Sequence, residues 1–257
     1  MVAKRTPLDN GAFKARLAAG ETVHGIFSGL ASPMAAEVAA AAGADFVLLD
    51  LEHGGGGEEQ VGPTVVATGA YGVPTLVRVE TGERIRIGRA LDSGAAGIMV
   101  PRITSATEAE DAIAHFHYPP FGDRGVASYN RAAAWGMNPA ALDGRCTSTA
   151  IVQIETLGAL ADVERIAAIE GVDVLFVGPL DLSYALGAPR DYSNANFVAA
   201  LEMVVAAAKA HGVTPGILAG DLTAAKRFMD MGFRFIAHSS DSVLLARSVT
   251  ETLKAVR

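Results

Sequence analysis

Eight short apolar segments, rich in β-branched residues, alternate with Ala-rich segments of helical period along the chain. Apolar strands that are separated by helices indicate parallel pairing, with both faces of the sheet buried. The predicted strands lie at residues 23–27, 46–49, 75–77, 97–100, 150–154, 174–177, 214–218 and 235–237. The predicted helices lie at residues 33–42, 58–71, 83–93, 106–115, 159–169, 194–211, 222–231 and 241–255. Eight such units predict a closed (β/α)8 TIM barrel with an additional C-terminal helix, and a doubly wound open sheet is the alternative.

The length of the chain suits this architecture. Barrels of this kind commonly occupy about 250 residues as one unit, so the 257 residues are predicted to form a single domain, 1–257. Residues 118–143 interrupt the alternation with several prolines and glycines and are predicted to form a long loop. Glycines just before predicted strands suit the left-handed position that often ends a helix. They are Gly43, Gly72, Gly94, Gly171, Gly212 and Gly232.

Composition and charge limit the classes of partner. The formal net charge is -7, the pI is about 5.4, and no basic stripe with interleaved aromatic side chains occurs, so no nucleic-acid partner is expected. No apolar stretch reaches the roughly 20 residues of a membrane span. Residues 1–20 are charged and have no apolar core, unlike a secretory signal. Cys146 is the only cysteine, so no intramolecular disulfide forms. A cytoplasmic location is therefore expected.

Polar side chains follow several of the predicted strands. Because the active sites of such barrels gather at the C-terminal ends of the strands, these side chains are expected to meet at one rim. They are the run from Asp50 to His53 after the second strand, Arg78 after the third, Arg102 after the fourth, Gln153 and Glu155 at the end of the fifth, Asp181 after the sixth and His238 after the eighth.

Glu155 and Asp181 form the first candidate site within this set. Two carboxylates with few other ligands suggest a hard cation such as Mg²⁺ or Mn²⁺. A zinc site would use His or Cys, and Cys146 lies outside any ligand-like spacing. The alternative is structural: Glu155 would cap the next helix, and Asp181 would cap a turn before Leu182.

Arg78 and His53 are the candidates for binding and proton transfer. The planar fork of Arg78 suits a carboxylate held at two points, and a salt bridge to Glu80 or Glu83 is the alternative. His53 can change protonation near neutral pH and is the candidate base. Asp92 would orient its imidazole if the third helix returns that far. The alternative for His53 is a rim histidine that bonds only the backbone.

The positions of the lysines bear on the mechanism. None ends a predicted strand, where a Schiff-base lysine would be expected, so carbanion chemistry here would require a metal. The lysines are Lys4, Lys14, Lys209, Lys226 and Lys254. The four glycines at residues 54–57 could cradle a phosphate, but they lack the spacing of a P-loop, and a flexible rim loop is the alternative.

Three parts of the sequence, read together, are similar to a known family. The first is LASPMAAEVAAAAGADFVLLDLEHG, at residues 30–54. The second comprises LVRVETG, LDSGAAGIMVPRI and YPPFGDRG within residues 76–125, and the third is VQIETLGALADVERIAAIEGVDVLFVGPLDLSYALG, at residues 152–187. In order and spacing they resemble the HpcH/HpaI family of class II pyruvate aldolases, which includes 4-hydroxy-2-oxoheptanedioate and 2-keto-3-deoxy sugar-acid aldolases.

The resemblance implies a (β/α)8 barrel that assembles as a homohexamer of exchanged-helix dimers. It implies reversible aldol cleavage of 4-hydroxy-2-oxo acids to pyruvate or hydroxypyruvate and an aldehyde. The implied cofactor is Mg²⁺, Mn²⁺ or Co²⁺. The implied roles are metal binding by Glu155 and Asp181, binding of the pyruvyl group by Arg78, proton transfer by His53 with its partner Asp92, a place beside the metal for Gln153, and contact of the substrate carboxylate with the backbone of Gly178, Pro179 and Leu180. The four-glycine loop departs from many relatives and leaves the aldehyde open.

Two other functions are compatible with such a barrel. A CoA-thioester lyase of the citrate or malyl type would need a basic groove for the CoA phosphates, and no Lys/Arg cluster is found near the predicted rim. A non-catalytic barrel that binds 2-oxo acids would not need His53 and Asp92 beside the binding residues. Turnover of a 4-hydroxy-2-oxo acid separates the aldolase from the binding protein.

Overall fold

Eight parallel strands form a closed barrel in the computed structural model, which describes residues 10–257. Each strand pairs with its neighbours in chain order, and β1 pairs with β8 to close the sheet. The strands are β1 (Val23–Ser28), β2 (Phe46–Asp50), β3 (Thr75–Arg78), β4 (Gly97–Val100), β5 (Thr149–Ile154), β6 (Val174–Val177), β7 (Thr214–Ala219) and β8 (Phe235–Ser240). The predicted barrel is therefore confirmed, and the open sheet is excluded.

Helices surround the sheet. They are α1 (Asn10–Ala18), α2 (Pro33–Ala41), α3 (Val61–Gly69), α4 (Arg84–Asp92), α5 (Ala106–Ala114), α6 (Leu157–Ala161), α7 (Val163–Ala167), α8 (Pro179–Ala185), α9 (Ala195–His211), α10 (Leu222–Met231) and α11 (Asp241–Ala255). The six glycines predicted to end helices all have positive φ. Residues 118–143 form the predicted irregular segment, which contains only short 3-10 turns.

Aromatic side chains fill one end of the barrel. Phe46 and Phe235, the first residues of β2 and β8, stack with their ring centroids 4.2 Å apart. Phe13 of α1 packs against both rings, at centroid distances of 6.0 Å and 6.5 Å. Each such buried side chain stabilises the fold by roughly 1.5–3 kcal/mol. Because these residues lie at the N-terminal ends of their strands, α1 closes that end of the barrel and leaves the C-terminal end for polar side chains.

Two helical segments differ from the prediction. The helix predicted at residues 159–169 is two short helices, because Asp162 between them leaves helical geometry and its carboxylate accepts a hydrogen bond from the Ala106 N–H at 2.8 Å. The turn predicted before Leu182 is the start of α8, where Pro179 at the first helical position already has a helix-compatible φ. The helix α1 was not among the predicted elements.

The helix α11 covers little of the barrel. None of its residues is buried, and its apolar side chains, including Leu244 and Leu245, are exposed. A groove of about 680 Å³ separates it from α2 and is lined mainly by small and apolar side chains. No helix within residues 10–257 is long and apolar enough to cross a bilayer. Residues 1–9, part of the segment in which no secretory signal is predicted, lie outside the described residues.

Candidate active site

A cavity of about 370 Å³ opens at the C-terminal end of the barrel. It brings together most of the residues singled out in the sequence. Those that line it are Asp50, His53, Arg78, Gln153, Gly178, Pro179, Leu180 and Asp181. Glu155 is connected to the same group through Gln153, whose Nε2 donates a short hydrogen bond to Glu155 Oε2. The sequence predicts these side chains at four different strand ends, and the closed barrel makes them neighbours.

Arg78 is held by an ion pair that the sequence prediction did not include. Its Nε and Nη2 donate to Asp50 Oδ1 and Oδ2 at 2.9 Å and 2.6 Å. Its Nη1 lies 2.9 Å from Glu52 Oε2, without hydrogen-bond alignment. Burial disfavours the charged form of Arg78, but the hydrogen bond and charge of Asp50 and the charges of Glu52 and Glu155 together outweigh it, so the pKa is raised above its usual value. The alternative partner Glu80 instead lies 3.7 Å from Arg86.

Asp50 and Glu52 are therefore site residues that sequence reasoning noticed without assigning a role. The signal was present, because both belong to the polar run after β2. Asp50 and Arg78 are also partners in the β2–β3 register. Burial raises the pKa of Glu52, and the charge of Arg78 opposes that shift.

His53 lies at the mouth of the cavity. Its backbone N–H donates to Asp50 Oδ1 at 3.2 Å, which fixes the loop, while 68% of its side chain is exposed. The nearest carboxylate to its imidazole is that of Glu52, with Oε2 3.8 Å from Nε2. His53 is thus positioned by the backbone, and its ring remains accessible to a ligand in the cavity.

The expected contact between Asp92 and His53 is not made within one chain. Asp92 is the last residue of α4, which runs from the end of β3 back to the start of β4. A nine-residue helix spans about 13 Å, so Asp92 lies towards the N-terminal end of the barrel, whereas His53 follows the C-terminal end of β2. The Asp92 carboxylate accepts a 2.6 Å hydrogen bond from Arg124 Nη2.

Glu155 is not a helix cap, in contrast to the structural alternative. Thr156 caps α6, with its Oγ1 accepting from the Ala159 N–H. Glu155 is 2% exposed, and its Oε1 accepts a 2.8 Å hydrogen bond from the backbone N–H of Arg102. Burial raises the pKa of Glu155 to about 7, against the effect of that hydrogen bond. Burial disfavours the charged form of this carboxyl group, and a cation bound beside it would stabilise that charged form.

Asp181 lies in the first turn of α8, and Gly178 is the N-cap, so Asp181 is not a cap either. Its Oδ1 lies 3.3 Å from Arg102 Nη1 in a pair that is largely exposed. Gly178 allows the strand end to approach Glu155, because a Cβ at this position would overlap Glu155 Oε2 and Gln153 Nε2. Gly178 therefore cannot be replaced without moving Glu155 or Gln153.

The charges around the cavity suit a divalent cation. Four carboxylates accompany only two guanidinium groups, so two negative charges are uncompensated when all are ionised. The carboxylates belong to Asp50, Glu52, Glu155 and Asp181, and the guanidinium groups belong to Arg78 and Arg102. Gln153 Oε1 is buried and accepts no hydrogen bond. Among the described residues, no three His, Cys, Asp or Glu side chains converge on one point. Glu155 and Asp181 would thus leave most positions around a hard cation to a ligand or water.

The four-glycine loop packs closely beneath the rim. The Gly55 N–H donates to the Gly29 carbonyl at 2.9 Å. A Cβ on Gly54 would overlap the Asp50 carbonyl, and a Cβ on Gly56 would overlap the Ala31 side chain. The loop is therefore glycine-rich because it passes close to other backbone.

His238 was expected at the rim, and the structure places it elsewhere. Strand β8 continues to Ser240, and Ser239 and Ser240 line the cavity. The His238 side chain faces the outside of the barrel, where its Nε2 lies 3.0 Å from His24 Nδ1. Burial lowers the pKa of His238, and the neighbouring His24 lowers it further. One polar residue after a predicted strand does not identify the rim residue of β8, because alternate residues of a strand face opposite sides of the sheet.

Comparisons with known proteins show the family to which this chain is similar. Residues 24–248 match the family model described as HpcH/HpaI aldolase/citrate lyase. A hydroxypyruvate/pyruvate aldolase of Paraburkholderia phytofirmans is 40% identical over 95% of this chain and 96% of its own length. A 4-hydroxy-2-oxo-heptane-1,7-dioate aldolase of Salmonella arizonae is 37% identical over 92% of this chain and 90% of its own. The crystal structure of a HpcH/HpaI aldolase/citrate lyase family protein from Burkholderia cenocepacia superposes with a TM-score of 0.91, at 38% identity, covering 96% of this chain and 99% of that one.

The raised pKa of Glu155 predicts how stability depends on pH in metal-free protein. Between its ordinary pKa of 4.5 and about 7, the folded state binds the Glu155 proton more tightly than the unfolded state does. The free energy of unfolding should therefore fall as the pH rises through that window. Glu155→Gln cannot ionise, so wild type should lose about 3 kcal/mol relative to this variant between pH 4.5 and 8.

Urea unfolding in EDTA across this pH range measures the effect. Glu202→Gln, at an exposed position of α9, is the matched control and should follow the wild-type profile. Parallel profiles for wild type and Glu155→Gln would show that Glu155 has an ordinary pKa.

Proposed function

This chain belongs to the HpcH/HpaI aldolase/citrate lyase family, and on that premise we propose that it cleaves 4-hydroxy-2-oxo acids reversibly to pyruvate or hydroxypyruvate and an aldehyde. The curated relatives carry names of aldolases with these substrates. The observation that carries the proposal is the convergence of Arg78, His53, Glu155 and Asp181 on one cavity.

Glu155 and Asp181 would hold the divalent cation, Mg²⁺, Mn²⁺ or Co²⁺. Their carboxylate oxygens are the ligands that such cations prefer, and the uncompensated charge of the site favours a cation. When bound, the cation would supply a Lewis acid that stabilises the developing charge on the keto oxygen of the substrate. Gln153 would lie beside it, with its buried Oε1 free to accept a hydrogen bond.

Arg78 would orient the 2-oxo acid. Asp50 uses two of the five N–H groups of the guanidinium and holds it in one orientation. The donors that Asp50 leaves free can reach a ligand oxygen in the cavity. The N–H groups of Leu180 and Asp181, in the first turn of α8, have no acceptor within the helix and would meet the substrate carboxylate. Fixed donors of this kind lower the barrier by positioning the ligand in advance.

His53 would move the proton at the C4 hydroxyl. Its imidazole lines the cavity and is largely exposed, whereas Glu155 is buried. In cleavage it would accept the hydroxyl proton as the C3–C4 bond breaks, and in the reverse direction it would return that proton. Glu52, 3.8 Å away, places a negative charge beside the imidazole.

The role of Asp92 requires a second copy of the chain. The resemblance pairs Asp92 with His53, and the fold places them towards opposite ends of one barrel. Asp92 remains 30% exposed beside Arg124, so its carboxylate is accessible from outside. We therefore propose that Asp92 orients the His53 of a neighbouring subunit.

A homo-oligomer, hexameric as the resemblance implies, is also supported by α11. Leu244, Leu245, Val249 and Leu253 of this helix are between 42% and 57% exposed. A row of apolar side chains on one exposed helix is a common sign of a protein contact. The groove between α2 and α11 offers a complementary apolar surface, so exchange of α11 between two copies would bury both.

Two further properties belong to the proposal. A single domain is supported by the closed barrel, whose strands run from Val23 to Ser240 without a linker segment. A cytoplasmic location is supported by Cys146, which has no second cysteine with which to form an intramolecular disulfide.

The aldolase proposal is tested by turnover. Purified protein should condense pyruvate or hydroxypyruvate with members of an aldehyde panel, and EDTA should abolish the activity until Mg²⁺, Mn²⁺ or Co²⁺ is added. Asp181→Asn should lower kcat/KM by at least about 100-fold, since it removes one of two charged ligands. Asp230→Asn, at an exposed position of α10, should be unchanged. Full activity in EDTA would contradict metal dependence, and absence of turnover with every pair would contradict the aldolase.

Subunit mixing tests the pairing of Asp92 with His53. His53→Ala should lower the cleavage rate by roughly 10² to 10⁴ while leaving metal binding intact. Asp92→Asn should lower it less, because the residue only orients the base. Co-expression of the two variants should give an activity well above the mean of the separate variants, since some sites would combine an intact His53 with an intact neighbouring Asp92. Activity equal to that mean would show that Asp92 does not serve the neighbouring site.

Light scattering after size-exclusion chromatography tests the role of α11. Leu245→Asp should shift the protein to a smaller species, because a charge buried in the contact would be costly. Leu245→Met keeps the apolar surface and should retain the wild-type mass. The same mass for Leu245→Asp and wild type would exclude α11 from the contact.

A further inference from the structure

Arg102 has an unusual backbone conformation at the edge of the site. It follows β4 and has a φ of 58°, in the left-handed region that side chains other than glycine seldom adopt. Such conformations persist where surrounding contacts maintain them, and they cluster at functional sites. The contacts of Arg102 therefore need an explanation.

One residue contacts both candidate metal ligands. The backbone N–H of Arg102 donates to Glu155 Oε1 at 2.8 Å, and its Nη1 lies 3.3 Å from Asp181 Oδ1. The two carboxylates come from different units of the barrel, one at the end of β5 and the other in α8. Arg102 thus links them with its main chain on one side and its guanidinium on the other.

The two contacts of Arg102 differ in their exposure to solvent. The N–H···Glu155 bond is buried with Glu155, which is 2% exposed. The guanidinium–Asp181 pair is exposed, with 59% of the Arg102 side chain and 46% of the Asp181 side chain accessible. Exposed pairs of this kind are weak and are easily exchanged. The main-chain contact is therefore fixed, and the side-chain contact can be released.

We propose that the Arg102 guanidinium is a displaceable counter-ion of Asp181 that competes with the divalent cation and thereby sets the metal affinity. The inference rests on the proposed function, since it takes Glu155 and Asp181 as the metal ligands. A cation bound to Asp181 would repel the guanidinium, which has open solvent to move into. Arg102 is a positioning residue in this scheme, because it acts through Asp181.

Arg78 cannot act as a displaceable counter-ion. Its Nε and Nη2 are both engaged by Asp50 in a buried pair, so its charge is already matched. Arg102 makes no comparable second ion pair within the described residues, and Asp181 is the partner that it would give up. Removal of the Arg102 side chain should therefore change metal binding in the direction of higher affinity, whereas loss of a supporting residue would lower it.

Titration of metal-free protein with Mn²⁺, followed by electron paramagnetic resonance and calorimetry, tests the proposal. Arg102→Gly keeps the backbone N–H and adopts a φ of 58° without strain, so the Glu155 contact should survive. It should bind Mn²⁺ about threefold to tenfold more tightly than wild type, as expected for loss of a weak exposed ion pair and of a neighbouring positive charge. Arg102→Lys keeps the charge and should stay near wild type.

The chain provides a matched control. Arg190 also has a positive φ, 61°, and its N–H donates to Ser183 Oγ rather than to a site residue. Arg190→Gly makes the same chemical change away from the cavity and should leave the Mn²⁺ affinity unchanged. A general effect of removing arginine from a left-handed position would appear in both variants and would overturn the proposal.

The outcomes separate this inference from the proposed function. If wild type and Asp181→Asn both fail to bind Mn²⁺, or bind it equally, the metal site itself is wrong. If wild type binds Mn²⁺ and Asp181→Asn does not, the metal site stands. An Arg102→Gly affinity within twofold of wild type, or weaker than wild type, would then overturn the role of Arg102 alone.

Discussion

The bidentate ion pair between Asp50 and Arg78 organises the C-terminal end of the barrel. These residues end β2 and β3 and are direct partners in the strand register. Both are nearly buried, and removal of one partner from a buried pair typically costs about 3–5 kcal/mol, because the other charge is left without compensation. The same Asp50 Oδ1 accepts the N–H groups of Glu52 and His53. One carboxylate therefore fixes the candidate binding residue and the loop that carries the candidate base.

This pair also explains why the remaining charges of the site are unbalanced. Arg78 is already paired with Asp50, and its positive charge offsets the effect of burial on Glu155 and Glu52 only in part. Burial then dominates and raises the pKa of both carboxyl groups. A divalent cation is the simplest group that relieves this imbalance, and it would do so at the end of the cavity where Asp181 provides a second oxygen ligand. The fold thus holds the site in a state that a cation stabilises.

Most of the fold could be predicted from the sequence because its signals are local. Each observed strand begins within one residue of its predicted start, since apolar β-branched runs end at glycines or polar residues. The identity of the Arg78 partner could not be predicted, because Asp50 becomes adjacent only through the register of two strands that are 28 residues apart. His238 was misplaced at the rim because β8 continues past it to Ser240, and the alternation of side chains along the strand directs His238 to the outside of the barrel.

The position of Asp92 shows where prediction from the sequence of one chain stops. The resemblance pairs the residue with His53, whereas helix direction in a (β/α)8 barrel determines that the end of α4 lies away from the C-terminal rim. The helix α11 is a second feature that the sequence of one chain does not explain. A barrel helix normally covers the outer face of the sheet, and α11 leaves His24 and His238 lining an apolar groove. In the proposed oligomer a second copy of the chain would complete both surfaces, which lie on different units of the barrel. The two features are independent of each other. A neighbouring subunit that supplied both a helix and a carboxylate would explain both of them.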